Sequence, residues 1–229
     1  MTSPAPVLVA VAHGTSSAAG RSAIGGLVAA VAARRPDLTV RAAFVDVQPP
    51  DPAAVLTSLH DAVPARLVPL LLSAGYHVYV DLAEAAAAVP GTTVAPALGP
   101  DDRLAGLLRD RLVAAGLRDD DVVVLAAAGS SQASAVADCE HVATALGQLL
   151  TRRVVAGYLS AAEPRLADAI AAQRRPGRRV VVATYLLAPG FFADLAGRSG
   201  ADVVTPPLVL PHEPAPRALV DVVVERYLS

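Results

Sequence analysis

The chain has 229 residues, of which 54% are hydrophobic and 17% charged, with a formal net charge of −2. This composition excludes a disordered chain and a broad cationic face for nucleic acid. All 19 basic residues are arginine, so no lysine is available for a Schiff base or for the phosphate-binding position of a P-loop. The single cysteine, Cys139, can form neither an internal disulfide nor a thiolate cluster.

The elements alternate along the chain. A short apolar run at Val7–Ala12, with no positive charge before it, reads as a strand rather than a signal peptide. Helical composition follows at Ala18–Ala33, a strand at Thr39–Val45, a helix at Pro52–Ala62 and a strand at Arg66–Leu71. Helices are then predicted at Val80–Ala88 and Asp102–Ala115. In the second half, strands are predicted at Val122–Leu125, Val154–Tyr158, Arg179–Tyr185 and Asp202–Val204. The apolar runs fall well short of the ~18 residues that span a bilayer, so a soluble, cytoplasmic protein is expected. Strand runs without in/out alternation, separated by helix-length segments, predict parallel sheets covered by helices on both faces.

The second half repeats the first. Val9-Ala10-Val11-Ala12-His13-Gly14-Thr15-Ser16 aligns with Val124-Leu125-Ala126-Ala127-Ala128-Gly129-Ser130-Ser131 at an offset of 115 (128 − 13). Leu71-Leu72-Ser73-Ala74-Gly75-Tyr76-His77 aligns with Leu186-Leu187-Ala188-Pro189-Gly190-Phe191-Phe192 at the same offset (192 − 77). Two α/β modules are therefore expected, residues 1–117 and 118–229, divided near the charged run Arg118-Asp119-Asp120-Asp121. The repeat is also an internal control. His13 is replaced by Ala128 and His77 by Phe192, so the fold itself requires neither imidazole.

Ligands of open parallel sheets bind beyond the carboxyl ends of the strands. His13 follows the first strand, Asp46 the second and His77 the third, which places all three at that edge. Two imidazoles and a carboxylate can hold a divalent transition metal and exchange protons near neutral pH. For Asp46 a turn or helix-cap role is the competing reading. Gly14-Thr15-Ser16 fits a turn that caps the first helix and can equally bind an anionic ligand. Gly75 and Tyr76 stand in the corresponding loop before His77; Gly75, shared with Gly190, also fits a backbone requirement. His60, His141 and His212 read as surface or loop residues.

Rival motifs fail on particular residues. Gly14 to Ser22 has the wrong glycine spacing for a P-loop, with Arg21 where lysine is needed. A histidine phosphatase would carry arginine where Ala12 stands. Neither G-x-G-x-x-G after a strand nor G-x-S-x-G is present.

Together, Ala12-His13-Gly14-Thr15-Ser16, Phe44-Val45-Asp46 and Val68-Pro69-Leu70-Leu71-Leu72-Ser73-Ala74-Gly75-Tyr76-His77 resemble the class II chelatases of the sirohydrochlorin chelatase (CbiX/SirB) type. The resemblance covers the whole chain, and the Leu98-Gly99-Pro100 loop shares it. It implies two tandem flavodoxin-like, chelatase-like modules facing across a cleft, with the second a degenerate repeat. It further implies a lyase that inserts Fe2+ (for siroheme) or Co2+ (for cobalamin), with Ni2+ a further candidate, into sirohydrochlorin without ATP. The metal is then a substrate, and no tightly bound cofactor is expected. In that setting His13 and His77 are catalytic, and they bind the metal together with Asp46, where members of the family usually carry glutamate. Gly14, Thr15, Ser16, Gly75 and Tyr76 would contact the tetrapyrrole, and Arg21, Arg41 or Arg66 could pair with its carboxylates. A monomer or homodimer without nucleic-acid or membrane partners is expected. The alternative is a non-catalytic metal- or tetrapyrrole-binding protein derived from a chelatase.

Overall fold

The computed structural model describes residues 5–59, 63–73 and 76–229, with the backbone alone for 76–79. In chain order the elements are β1 (Val7–Ala12), α1 (Ala18–Arg34), β2 (Val40–Phe44), α2 (Pro52–Ser58), β3 (Ala65–Pro69), α3 (Tyr76–Ala87), β4 (Thr93–Val94) and α4 (Asp102–Ala114). They continue as β5 (Val122–Ala127), α5 (Ala133–Leu150), β6 (Val154–Tyr158), α6 (Leu166–Gln173), β7 (Val180–Tyr185), α7 (Phe191–Gly197), β8 (Val203–Val204) and α8 (Arg217–Leu228). The strands form two sheets, ordered β2-β1-β3-β4 and β6-β5-β7-β8, and every pairing is parallel. Each follows the first four positions of the flavodoxin-like strand order. The expected α/β class with two covered parallel sheets is what the chain forms.

The central strands explain why. All six residues of β1 and all six of β7 are buried, so both faces of each strand need apolar cover. Leu8 and Leu67 are fully buried, each worth on the order of 2 kcal/mol against exposure. Thr184 is the polar residue within β7. Its hydroxyl donates to Thr205 O at 2.6 Å and its N–H to Thr205 Oγ1 at 3.0 Å, so its burial leaves no unmet donor.

Most boundaries shift by one or two residues, and three elements depart further from the sequence reading. β4 has only two residues, paired as Arg66–Thr93 and Leu67–Val94, too few to show a period. Helix α2 ends at Ser58, and His60 lies outside the described residues. Helix α3 begins at Tyr76, four residues before the expected start at Val80. Its first turn is rich in aromatic and β-branched residues, whose weak helix propensity disguises it.

The compact units cut across the sequence repeat. One comprises Met1–Leu98 with Pro211–Ser229, the other Gly99–Leu210. The final helix of each repeat belongs to the unit built on the other repeat's sheet. In the first unit α8 packs on α1 and β3. Arg226 there donates to Ala97 O at 2.8 Å and Leu98 O at 2.9 Å, and Tyr227 Oη to Pro6 O at 2.7 Å. In the second unit α4 packs on α5 and β7, and Arg111 donates to Leu208 O at 3.2 Å. The charged run 118–121 lies within the second unit. Asp121, 5% exposed, receives Arg179 at 2.6 and 2.9 Å, while Arg152 donates to the carbonyls of Arg118 and Asp121.

Beyond β3 and β7 the repeat offset also changes. Leu98 N–H donates to Leu71 O and Leu208 N–H to Leu186 O, so 115 at the strands becomes 110 after the shorter α7. The structural counterpart of Leu98-Gly99-Pro100 is therefore Leu208-Val209-Leu210.

Candidate functional site

The chain leaves β1 for β2 on one side and returns to β3 on the other, so the direction of sheet growth reverses beside β1. The carboxyl ends of β1 and β3 flank this switch point, where sheets of this kind hold their ligands. His13 directly follows β1 and is exposed, and α3 with its backbone at Tyr76 and His77 follows β3.

His13 and Asp46 are brought together by sheet register. Ala12 is opposite Phe44, and Asp46 N–H donates to His13 O at 3.0 Å, extending the parallel ladder past the strand ends. Asp46 Oδ1 accepts the N–H of Val47 at 2.7 Å, and the residue is otherwise exposed. Gln48 N–H returns to Asp46 O at 2.7 Å around Val47, whose φ is +66°. This three-residue turn, with a β-branched residue at positive φ, is strained. A shallow surface depression of about 350 Å³ lies beside it, bounded by Phe44, Asp46, Gln48 and Asp51 among others.

The His13 turn is fixed just as closely. Gly14 has φ +95°, and a Cβ there would lie 2.0 Å from Asp46 O. Glycine is thus demanded by the approach of the Asp46 loop, which accounts for it without a ligand. Thr15 N–H donates to Gln48 Oε1 at 3.1 Å, and Thr15 Oγ1 accepts from Ser17 N at 3.1 Å. Ser17 caps α1 by accepting from Gly20 N. Arg21 closes over the turn, donating to Ser16 O at 2.7 Å. Arg21 is at the ligand edge, whereas Arg41 and Arg66 lie near the amino ends of β2 and β3, and Arg66 bonds Ser229.

The second unit reproduces this backbone bond for bond. Leu159 N–H and Ser160 N–H donate to Ala127 O and Ala128 O at 3.0 and 2.9 Å. Gly129 has φ +91°, and its Cβ would meet Ser160 O at 1.9 Å. Ala161 has φ +52°, and Ala162 N–H returns to Ser160 O at 2.6 Å. What differs is side chains. His13, Asp46 and Gln48 face Ala128, Ser160 and Ala162 in the duplicate. Where the first repeat has Tyr76-His77, the second exposes Phe191 and Phe192, packed edge to face at 5.6 Å.

Gly75 lies outside the described residues, as do the side chains of Tyr76 and His77. Among the described residues no three His, Cys, Asp or Glu side chains converge on a metal position. His141 is an exposed residue of α5, 4.0 Å from the exposed Asp102, and His212 lies in an exposed turn. Gln48 escaped the sequence reading. The offset is 114 rather than 115 at the second strand (Phe44 with Tyr158), which obscures its pairing with Ala162.

The CbiX family model matches residues 7–115 and 122–195. The chain belongs to the CbiX family. The two matched segments fall on the two repeats, and the second stops within α7. Among solved structures, the chain is similar to SirB from Bacillus subtilis with Fe3+, at 19% identity and a TM-score of 0.77, covering 97% of this chain and 95% of that one. It also resembles the sirohydrochlorin chelatase SirB from Bacillus subtilis subspecies spizizenii in complex with cobalt, at 15% identity and a TM-score of 0.74, over 97% and 94% of the two chains. A third likeness is to CbiX, described as the terminal enzyme for biosynthesis of siroheme in denitrifying bacteria. Here the identity is 19% and the TM-score 0.67, over 97% and 100%. At these identities the likeness concerns the fold. No curated protein matches at the sequence level. No described helix of this CbiX-family chain is long and apolar enough to cross a membrane.

Proposed function

We propose that this CbiX-family chain is a sirohydrochlorin chelatase that inserts Fe2+ or Co2+ into the tetrapyrrole without ATP. The observation that carries this is the contrast between two edges with one backbone. The first presents His13 and Asp46 at the switch point, whereas the second presents Ala128 and Ser160 there. An imidazole that the scaffold does not need, at the edge where ligands bind, is there for chemistry, and Asp46 beside it adds a carboxylate where the duplicate has a hydroxyl.

Metallation removes two pyrrole protons as the ion enters the ring, so the site must accept protons and deliver a cation. An imidazole, with an ordinary pKa of about 6.5, does both near neutral pH. Imidazole also suits iron, cobalt and nickel alike. His13 would act as base and transient metal ligand, with His77 as its partner from α3. Asp46 would add a negative charge that draws the cation to the edge. Three donors or fewer leave coordination positions open, so the ion can pass to the macrocycle. Thr15 and Ser16 would contact the ring from the turn over α1, with Gly75 and Tyr76 beyond β3. A cytoplasmic setting, as monomer or homodimer, completes this reading.

The test is to mix the purified protein anaerobically with sirohydrochlorin and Fe2+ or Co2+ and follow the absorbance of the metallated product. Acceleration over the uncatalysed rate is expected. Binding of metal or tetrapyrrole without acceleration would favour a non-catalytic binding protein.

A further inference from the structure

We infer that Gln48 binds a carboxylate of the substrate through its side-chain amide, an assignment that rests on the chelatase reading above. Three observations lead to it. Gln48 bridges the two loops that hold the site, because its Oε1 accepts the Thr15 N–H while its own N–H closes the turn at Asp46. Since Thr15 N–H can only donate, the amide oxygen must face it, and the NH2 group with its two donors faces away. That NH2 has no protein partner among the described residues, and Gln48 lines the shallow depression of about 350 Å³ with Asp46 and Asp51.

The duplicate removes the structural explanation. Ala162 stands where Gln48 would be, yet the turn, its positive φ and its backbone hydrogen bonds are retained. The amide is therefore not required to shape the loop. This is the same test that separates His13 from its scaffold.

Asp46 and Asp51 make the rim of this depression negative, so a carboxylate docking here needs a hydrogen-bond donor to hold it. Asp51 is already engaged in capping α2 through Ala54 N–H. Arg21, the guanidinium at this edge, donates to the carbonyls of Thr15 and Ser16. A hydrogen bond from the Gln48 amide to a charged acceptor is among the stronger ones.

Gln48→Ala and Gln48→Glu separate the two possible roles. Glutamate retains the acceptor for Thr15 N–H and replaces the NH2 donor with negative charge. Steady-state metallation with sirohydrochlorin and Co2+, sirohydrochlorin affinity by fluorescence quenching, Co2+ affinity by calorimetry and thermal unfolding are measured for each. The expected result is a KM and Kd for sirohydrochlorin about tenfold higher in Gln48→Ala and higher again in Gln48→Glu. Both should raise KM more than they lower kcat, while Gln48→Glu keeps the wild-type unfolding temperature. Wild-type sirohydrochlorin affinity in Gln48→Glu would show that only the acceptor matters and overturn the assignment. A wild-type protein that binds no sirohydrochlorin would overturn the chelatase reading together with this one.

Discussion

Substituting Gly14 and Gly129 by alanine applies one perturbation to both units and asks which of them does chemistry. In each, the new Cβ would fall about 2 Å from a carbonyl oxygen, Asp46 O or Ser160 O, at φ near +90°. The left-handed backbone costs a non-glycine residue about 1–2 kcal/mol. Relieving the overlap requires the neighbouring loop to retreat, which adds about as much again. Each variant should lose about 3 kcal/mol, lowering its unfolding temperature by roughly 6–12 °C for a chain of this size. The consequences for activity should diverge. Retreat of Asp46 breaks its bond to His13 O and spreads the site, and a displacement near 1 Å can reduce turnover about a hundredfold. Retreat of Ser160 moves no proposed site residue. Thermal unfolding should therefore give similar shifts, whereas metallation assayed well below both transitions should fall in Gly14→Ala and persist in Gly129→Ala. Equal activities in the two variants would refute the reasoning.

Further expectations concern charge, metal and the duplicate. Asp121→Ala leaves the Arg179 guanidinium and the Arg118 N–H without their acceptor and should lower stability, read by urea denaturation. Arg179, chiefly by hydrogen bonding, holds the Asp121 carboxyl below the ordinary carboxylate range. The folded value is thus the lower one, so this stabilisation is complete above the unfolded value of about 3.9 and is lost as pH falls through the folded value. Wild type and Asp121→Ala should therefore converge in stability in strong acid. Co2+ at a hundredfold excess over its Kd should stabilise the wild type by about 2.7 kcal/mol, and His13→Ala should abolish that gain in a thermal-shift assay. Installing Ala128→His, Ser160→Asp and Phe192→His together should raise the Co2+ stoichiometry by about one ion per chain. Unchanged stoichiometry in calorimetry would count against the equivalence of the two edges.

The sheets could be read from composition because β1, β5 and β7 are buried on both faces and so carry runs that are almost wholly apolar. The histidine and aspartate positions could be read because strand ends fix which edge they occupy. β4 could not, since two residues carry no period. The first turn of α3 was hidden by Tyr76 to Val80, residues that favour strands. The exchange of α4 and α8 was hidden for a different reason. Each helix is amphipathic in its own right, and nothing local distinguishes packing on one sheet from packing on a near copy of it. Gln48 was hidden by a one-residue slip between repeats, which the strand register and the paired hydrogen bonds at Asp46 and Ser160 reveal.

The most direct test of the account is the initial rate of anaerobic Co2+ insertion into sirohydrochlorin for wild type, His13→Ala, His77→Ala and the surface control His141→Ala. The account predicts rapid metallation by wild type and His141→Ala, and rates at or near the uncatalysed level for His13→Ala and His77→Ala. Wild-type rates in both His13→Ala and His77→Ala would contradict it.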